Sequence, residues 1–356
     1  MNEAGTFQTV SGTVLYLFGD RDPEIASLMD NPEFRSLVGP LFSTARPAVP
    51  DDTPVCLDAA VDRELLTSDG GSYGAGPRLV PVPALAEREL PERLRPVLAR
   101  YVEIAGDMAV ELRALFAETS AAERFAWPQV SHSLVAGMFL DLAMGRELIR
   151  SGQVSLRPAG GTVVWAFEGL SAGNAFGVQW APASRPRAGF AQLWSRRARR
   201  PPLRLGTAVV EALWRSALGE AAAGTPEERL YLRHLKLARK AGGSLEVQVP
   251  AFGPSDAERL LPLLDHGARQ LVADAIVPAL ALVGEHPWWS ERIHEEAYRH
   301  AAVRLILEYG IDRVIASGGI EAFPQGPDLQ PAWGRWVWVE ADGPLSLVPD
   351  NAVEEP

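Results

Sequence analysis

The chain has one cysteine, Cys56, among 356 residues. A single thiol excludes an intramolecular disulfide framework and any zinc site built on several cysteines. A reducing, cytoplasmic setting fits it. Long apolar runs are also missing. LVAGMFL and IVPALALVG fall far short of the about 20 residues that cross a bilayer, so no membrane span is expected. The opening MNEAGTFQTV has neither a basic patch nor an apolar core, so no Sec-type signal is expected. P-loop, G-x-G-x-x-G and H-E-x-x-H motifs are lacking. The common nucleotide-binding and zinc-protease chemistries are therefore without support, and no cofactor is indicated.

What is present is an ordinary globular composition, 47% apolar and 22% charged. That is enough apolar surface to offset the ordering entropy of a folded chain. The length favours two or three domains over one core. Whether copies associate into a homo-oligomer is left open. A formal charge of −11 opposes non-specific attraction to nucleic acid.

Local signals predict an α+β protein, helix-rich from residue 92 onward. GTVLYLF (12–18) reads as a buried strand and TPVCLDAAV as a second. Asp22-Pro23-Glu24 and Asn31-Pro32-Glu33 each read as N-cap, first helical position and first-turn acid, with Gly39-Pro40 as the stop. Residues 67–91 are rich in Gly and Pro and read as a linker closing a smaller N-terminal α/β part over 1–91. A helical unit over 92–210 follows. Ser120–Glu123 matches a capping box, Pro128 permits a helix to about Arg150, and Gly152 ends it. QVSLR and TVVWAF, flanking Pro158–Gly161, read as a β-hairpin.

The C-terminal helical region spans 211–356. Thr225-Pro226-Glu227-Glu228 starts one helix, expected to end at Gly242-Gly243, and Ser255–Glu258 starts another. A third runs from Ser290 to Gly310, and RWVWVEADGPLSLV closes the chain as a hairpin across Asp342-Gly343.

The order helix, helix, hairpin over 96–168 is winged-helix-like. The turn holding Gln129, Ser131 and His132 carries polar, non-acidic groups of the kind that meet bases or phosphates. Against that, LVAGMFLDLAMG is apolar nearly all round and reads as a core helix. The 42 residues 169–210 then contain no Asp or Glu but seven arginines: Arg185, Arg187, Arg196, Arg197, Arg199, Arg200 and Arg204. Guanidinium forks suit phosphate, and Phe190 and Trp194 offer stacking surfaces. The plainer account is a basic loop paired with acids of the same chain.

Other clusters carry less. Gly70–Gly74 matches G-x-S-x-G around Ser72, but no strand precedes it and no helix follows promptly. Glu291 and His294 have the E-x-x-H spacing of di-iron bundles, with Glu296 and His300 beyond. On one helix His294 and His300 would lie about 240° apart and could not share a metal. The periodicity puts His294 toward the core and His300 on a surface ladder with Glu296 and Arg304. Glu103, Asp107 and Glu111 share a helix face and call for a cation. Arg233, His234, Lys236, Arg239 and Lys240 complement the end of the helix begun at Thr225. The expectation is a binding or regulatory protein that engages a polyanion, nucleic acid first, through the helix–hairpin unit and the arginines. The alternative is an enzyme with an interdomain site, metal-dependent in one version, that leaves no local motif.

Overall fold

The computed structural model describes residues 9–10, 13–18, 22–50, 56–155, 162–168, 176–185, 187–195, 203, 205–220, 223–242, 244–324, 332–341 and 343–347. The fold is α+β. Strands β1 (Thr9–Val10) and β2 (Thr13–Phe18) lead into α1 (Pro23–Asp30) and α2 (Pro32–Val38). Both helices start where capping chemistry requires. The Asp22 carboxylate accepts from the Glu24 and Ile25 amides, and the Asn31 carboxamide from the Glu33 amide.

TPVCLDAAV departs from its strand reading. Its described part forms α3 (Cys56–Asp62), whose Cys56, Leu57 and Ala60 face the core. A short apolar run does not separate a strand from a helix by pattern alone. The Gly/Pro-rich stretch holds β3 (Leu66–Ser68), β4 (Tyr73–Ala75), β5 (Leu79–Val82) and α4 (Ala84–Arg88) before the long α5 (Leu90–Phe116).

Ser120 opens only a 3-10 turn, Ser120–Glu123. Its hydroxyl and amide bond Asp256 at 2.8 and 3.2 Å, so the expected capping box is replaced by a tertiary contact. A continuous helical run follows as α6 (Trp127–Ser131), a π-helical segment His132–Ala143 and α7 (Met144–Arg150). Every residue of the π segment is buried, as the near-continuous apolarity from Leu134 onward requires; His132 and Ser133 are buried with it. Gly152 ends the run at φ +69°.

The next strand, β6 (Val163–Glu168), does not form the expected hairpin with QVSLR. It pairs antiparallel with β2 and parallel with β5, which occupies both its edges. The Ser155 amide instead donates to Glu296 at 2.9 Å, and Pro158–Gly161 lies outside the described residues. A winged-helix wing needs a free local partner strand, and here the partners come from 13–18 and 79–82.

Strands β7 (Phe176–Pro182) and β8 (Ala188–Ser195) form an antiparallel pair. Then come α8 (Thr207–Ala217), α9 (Pro226–His234), β9 (Ala238–Ala241), β10 (Ser244–Val247) and β11 (Ala251–Phe252). The final stretch holds α10 (Pro254–Leu271), α11 (Val277–Gly284), α12 (Pro287–Ser290), α13 (Glu296–Ala316) and β12 (Arg335–Val339). β12 is no arm of a terminal hairpin. It lies between β8 and β11 in a four-stranded sheet ordered β11-β12-β8-β7.

Gly310 does not end α13 but sits inside it, against the Tyr101 ring; a Cβ there would lie 2.5 Å from Tyr101 Cζ. The helical run 254–284 is apolar and long enough to cross a bilayer by composition, yet half its most apolar window is buried within the fold.

The two larger sheets each separate two cores. Val163, Trp165 and Phe167 of β6 face a large helical core, while Val164 and Ala166 face α1, α2 and α3. In β12, Trp336 and Trp338 face that same helical core, while Val337 and Val339 face α8 and α9. Side chains alternate across a strand, so strands with a core on either side read as continuous apolar runs. The central helical layer, with α5 touching α10, α11 and α13, is held between the two sheets.

Candidate nucleic-acid interface

The outer layer beyond the second sheet carries a basic cleft. Its framework is α9 and the β9–β10 hairpin. α9 begins in a full capping box: Thr225 Oγ1 accepts from the Glu228 amide, and the Glu228 carboxylate accepts from the Thr225 amide. It stops at His234, well before the expected Gly242-Gly243, in a Schellman arrangement. The Leu237 amide donates to the Leu232 carbonyl and the Lys236 amide to the Arg233 carbonyl. Leu232 and Leu237 are both fully buried and supply the apolar clasp of that motif. The position that favours glycine is held by Lys236, at φ +57°.

The chain then turns straight into β9 and returns through β10. Arg233, His234, Lys236, Arg239, Lys240 and Gln248 therefore line one cleft of about 700 Å³. Its five basic side chains are all exposed. Arg233, His234, Lys236 and Lys240 have no carboxylate partner among the described residues. Only Arg239 is engaged, with its fork on Glu246 at 2.7 and 2.9 Å. These bonds hold the Glu246 carboxyl below the usual carboxylate range and push the guanidinium of Arg239 up.

A second cleft of about 450 Å³ adjoins the first through Arg239 and Gln248. Its other walls include Arg124, Phe125, Gln129 and Glu246. Arg124 follows the 3-10 turn pinned to Asp256 and reaches across to β10, donating to the Val247 carbonyl and lying 3.4 Å from Glu246. Its guanidinium carbon sits 5.5 Å from the centre of the Phe125 ring. The Gln129 carboxamide accepts from the Ala126 amide at 2.8 Å, so this residue both caps α6 and lines the cleft.

The residues expected from sequence are distributed differently. Gln129 is on the cleft, but Ser131 and His132 are buried and present no surface to a phosphate. His132 Nε2 lies 3.1 Å from the Glu321 carbonyl, its ring packs on Phe323 and Trp333, and burial pushes its pKa down to about 4. Arg185 is exposed. Arg187 adopts φ +59° and donates to the Gly343 carbonyl at 2.7 Å. Arg196, Arg197, Arg199, Arg200 and Arg204 lie outside the described residues.

The metal candidates separate. Glu291 and His294 fall in an exposed turn before α13, and no three His, Cys, Asp or Glu side chains converge among the described residues. Because α13 starts only at Glu296, the helical phase counted from Ser290 is broken. His300 and Arg304 are consequently buried rather than on a surface ladder, and His294 is exposed rather than in the core. Arg304 lies 3.2 Å from Glu308 and 3.9 Å from Asp141, which accepts from the Val178 amide at 2.9 Å. This charged array lies where the helical layer meets the second sheet. Glu103 is met by Arg100 at 2.9 Å, and Arg100 also reaches Asp274. Ser72 sits in the β3–β4 turn with its hydroxyl on Asp69 at 2.8 Å, a turn contact rather than a strand-to-helix elbow.

Arg124, Phe125, Glu246 and Gln248 were not singled out by sequence. The hairpin could have been: Gly242-Gly243 between ARKA and SLEV is a two-residue hairpin signal. No family model, curated protein or solved structure matches the chain, so the functional reading rests on this geometry.

Proposed function

We propose that the chain is a binding or regulatory protein that engages a polyanion, nucleic acid first, in the basic cleft at the end of α9. The observation that carries the reading is the lining. Arg233, Lys236, Arg239 and Lys240 converge, with His234, on one concavity of a molecule whose formal charge is −11. Concave positive charge on a negative background concentrates anions locally, and lysine and arginine supply the donors that phosphates accept. The arginines from Arg185 to Arg204 belong to the same proposal as a second basic element.

The test is a salt titration of binding to a fluorescent oligonucleotide. Contacts to about four phosphates give a log K against log salt slope of roughly −3 to −4. Lys236→Glu with Lys240→Glu should abolish binding if the cleft is the site. Charge reversal at Arg196, Arg197, Arg199 and Arg200 reports separately on the arginine-rich segment. Absence of binding at low salt refutes the reading.

A further inference from the structure

We infer that the ligand is single-stranded nucleic acid, with one unpaired base held in the smaller cleft while its phosphates lie in the larger one. This rests on the polyanion reading and adds the form of the strand. The two clefts are chemically unlike. The larger is lined by basic residues, with no acidic side chain among its described lining. The smaller holds Glu246, engaged by Arg239 and approached by Arg124, beside an aromatic ring and two carboxamides. Those are groups that meet a neutral base: a ring and a guanidinium to stack on, and carboxamide atoms for its polar edge.

The Arg124 guanidinium carbon lies 5.5 Å from the Phe125 ring centre at one wall. Gln248 donates its Nε2 to the Glu246 carbonyl at 3.3 Å, leaving Oε1 as an acceptor for a base N–H. A volume of about 450 Å³ falls in the roughly 300–1,000 Å³ range of small-ligand sites. Arg239 and Gln248 line both clefts, so the base and phosphate sites are contiguous, as one nucleotide requires. A base paired and stacked in a duplex is not available to such a cleft without being flipped out.

The experiment compares three fluorescent or competing probes at low salt. They are a short oligodeoxyadenylate, its duplex with oligothymidylate, and inorganic polyphosphate, which carries charge and no base. The single strand should bind at least tenfold tighter than the duplex. Phe125→Leu keeps apolar bulk where the ring packs on the core but removes the π face. It should weaken single-strand binding about tenfold, within the range for losing one stacked base, and leave polyphosphate unchanged. Gln248→Ala, on the half-buried hairpin edge, is the second variant and should selectively weaken the single strand threefold or more. It decides the matter if Phe125→Leu lowers the melting temperature.

Equal affinity for single strand and duplex, or variants that leave single-strand binding intact, overturns the base site while the polyanion reading stands. Failure of all three probes to bind removes both.

Discussion

Lys236→Gly should make the protein more stable and a poorer binder at once. Lys236 occupies the left-handed position of the Schellman cap that ends α9. A non-glycine residue held there costs about 1–2 kcal/mol of backbone strain. Glycine removes that strain but adds roughly 0.5–1 kcal/mol of unfolded-chain entropy. The side chain is exposed, so little packing is lost. The expected net gain is about 0.5–1 kcal/mol, read as a higher urea midpoint at unchanged m-value. Losing one cation from the cleft should flatten the salt slope of oligonucleotide binding by about one. Lys236→Ala is the control: it removes the charge and keeps the strain, so it should bind like the glycine variant without the gain in stability. If Lys236→Gly is no more stable than the parent, the strain argument is wrong. If its affinity and salt slope are unchanged, Lys236 does not meet the ligand. The polyanion proposal names the gain that would offset this strain: a cation placed at the cleft.

Three further outcomes follow from the interior. Burial holds His132 and His300 neutral, each with a pKa near 4 against 6.5 in the unfolded chain, and pushes His286 down as well. Their folded pKa values are depressed, so stability is complete above about pH 6.5, drains as pH falls toward 4 and levels off below that. His132 and His300 should each remove about 2 kcal/mol between pH 7.5 and 5, and His132→Phe should abolish its share in urea melts at the two pH values. Gly310→Ala should destabilise the fold by about 1–2 kcal/mol in urea unfolding despite alanine's better helix propensity, because the new methyl meets the buried Tyr101 ring. Arg304→Leu should cost about 3–5 kcal/mol by the same assay, since it removes the guanidinium between buried Asp141 and Glu308, and adding Glu308→Leu should recover part of the loss.

Where the chain turns or starts a helix, the local residues decide, and those features were legible. Asp22, Asn31 and Thr225 cap their helices through their own side chains within three residues. The all-round apolarity of residues 134–145 announced a buried helix, and the π segment that holds most of it is buried, together with His132 and Ser133, whose polarity pointed outward. Such effects act over a few residues and need no partner from elsewhere.

Pairing and phase were another matter. β6 and β12 read as hairpin arms because a strand's partner is not written in the strand. Each found neighbours far along the chain, and only assembly of the two sheets chose them. The register of α13 depended on a break at 291–295 that periodicity could not foresee, and it exchanged the environments of His294 and His300.

The basic residues after Leu232 were visible as a charge cluster and plausible as the end of a helix. That they ring a cleft is a tertiary fact: the backbone reverses at Lys236, folds into a hairpin and is met there by Arg124 and Phe125, more than a hundred residues earlier. Short-range sterics and capping set the elements; long-range burial set which faces meet, and a binding surface is made of meeting faces.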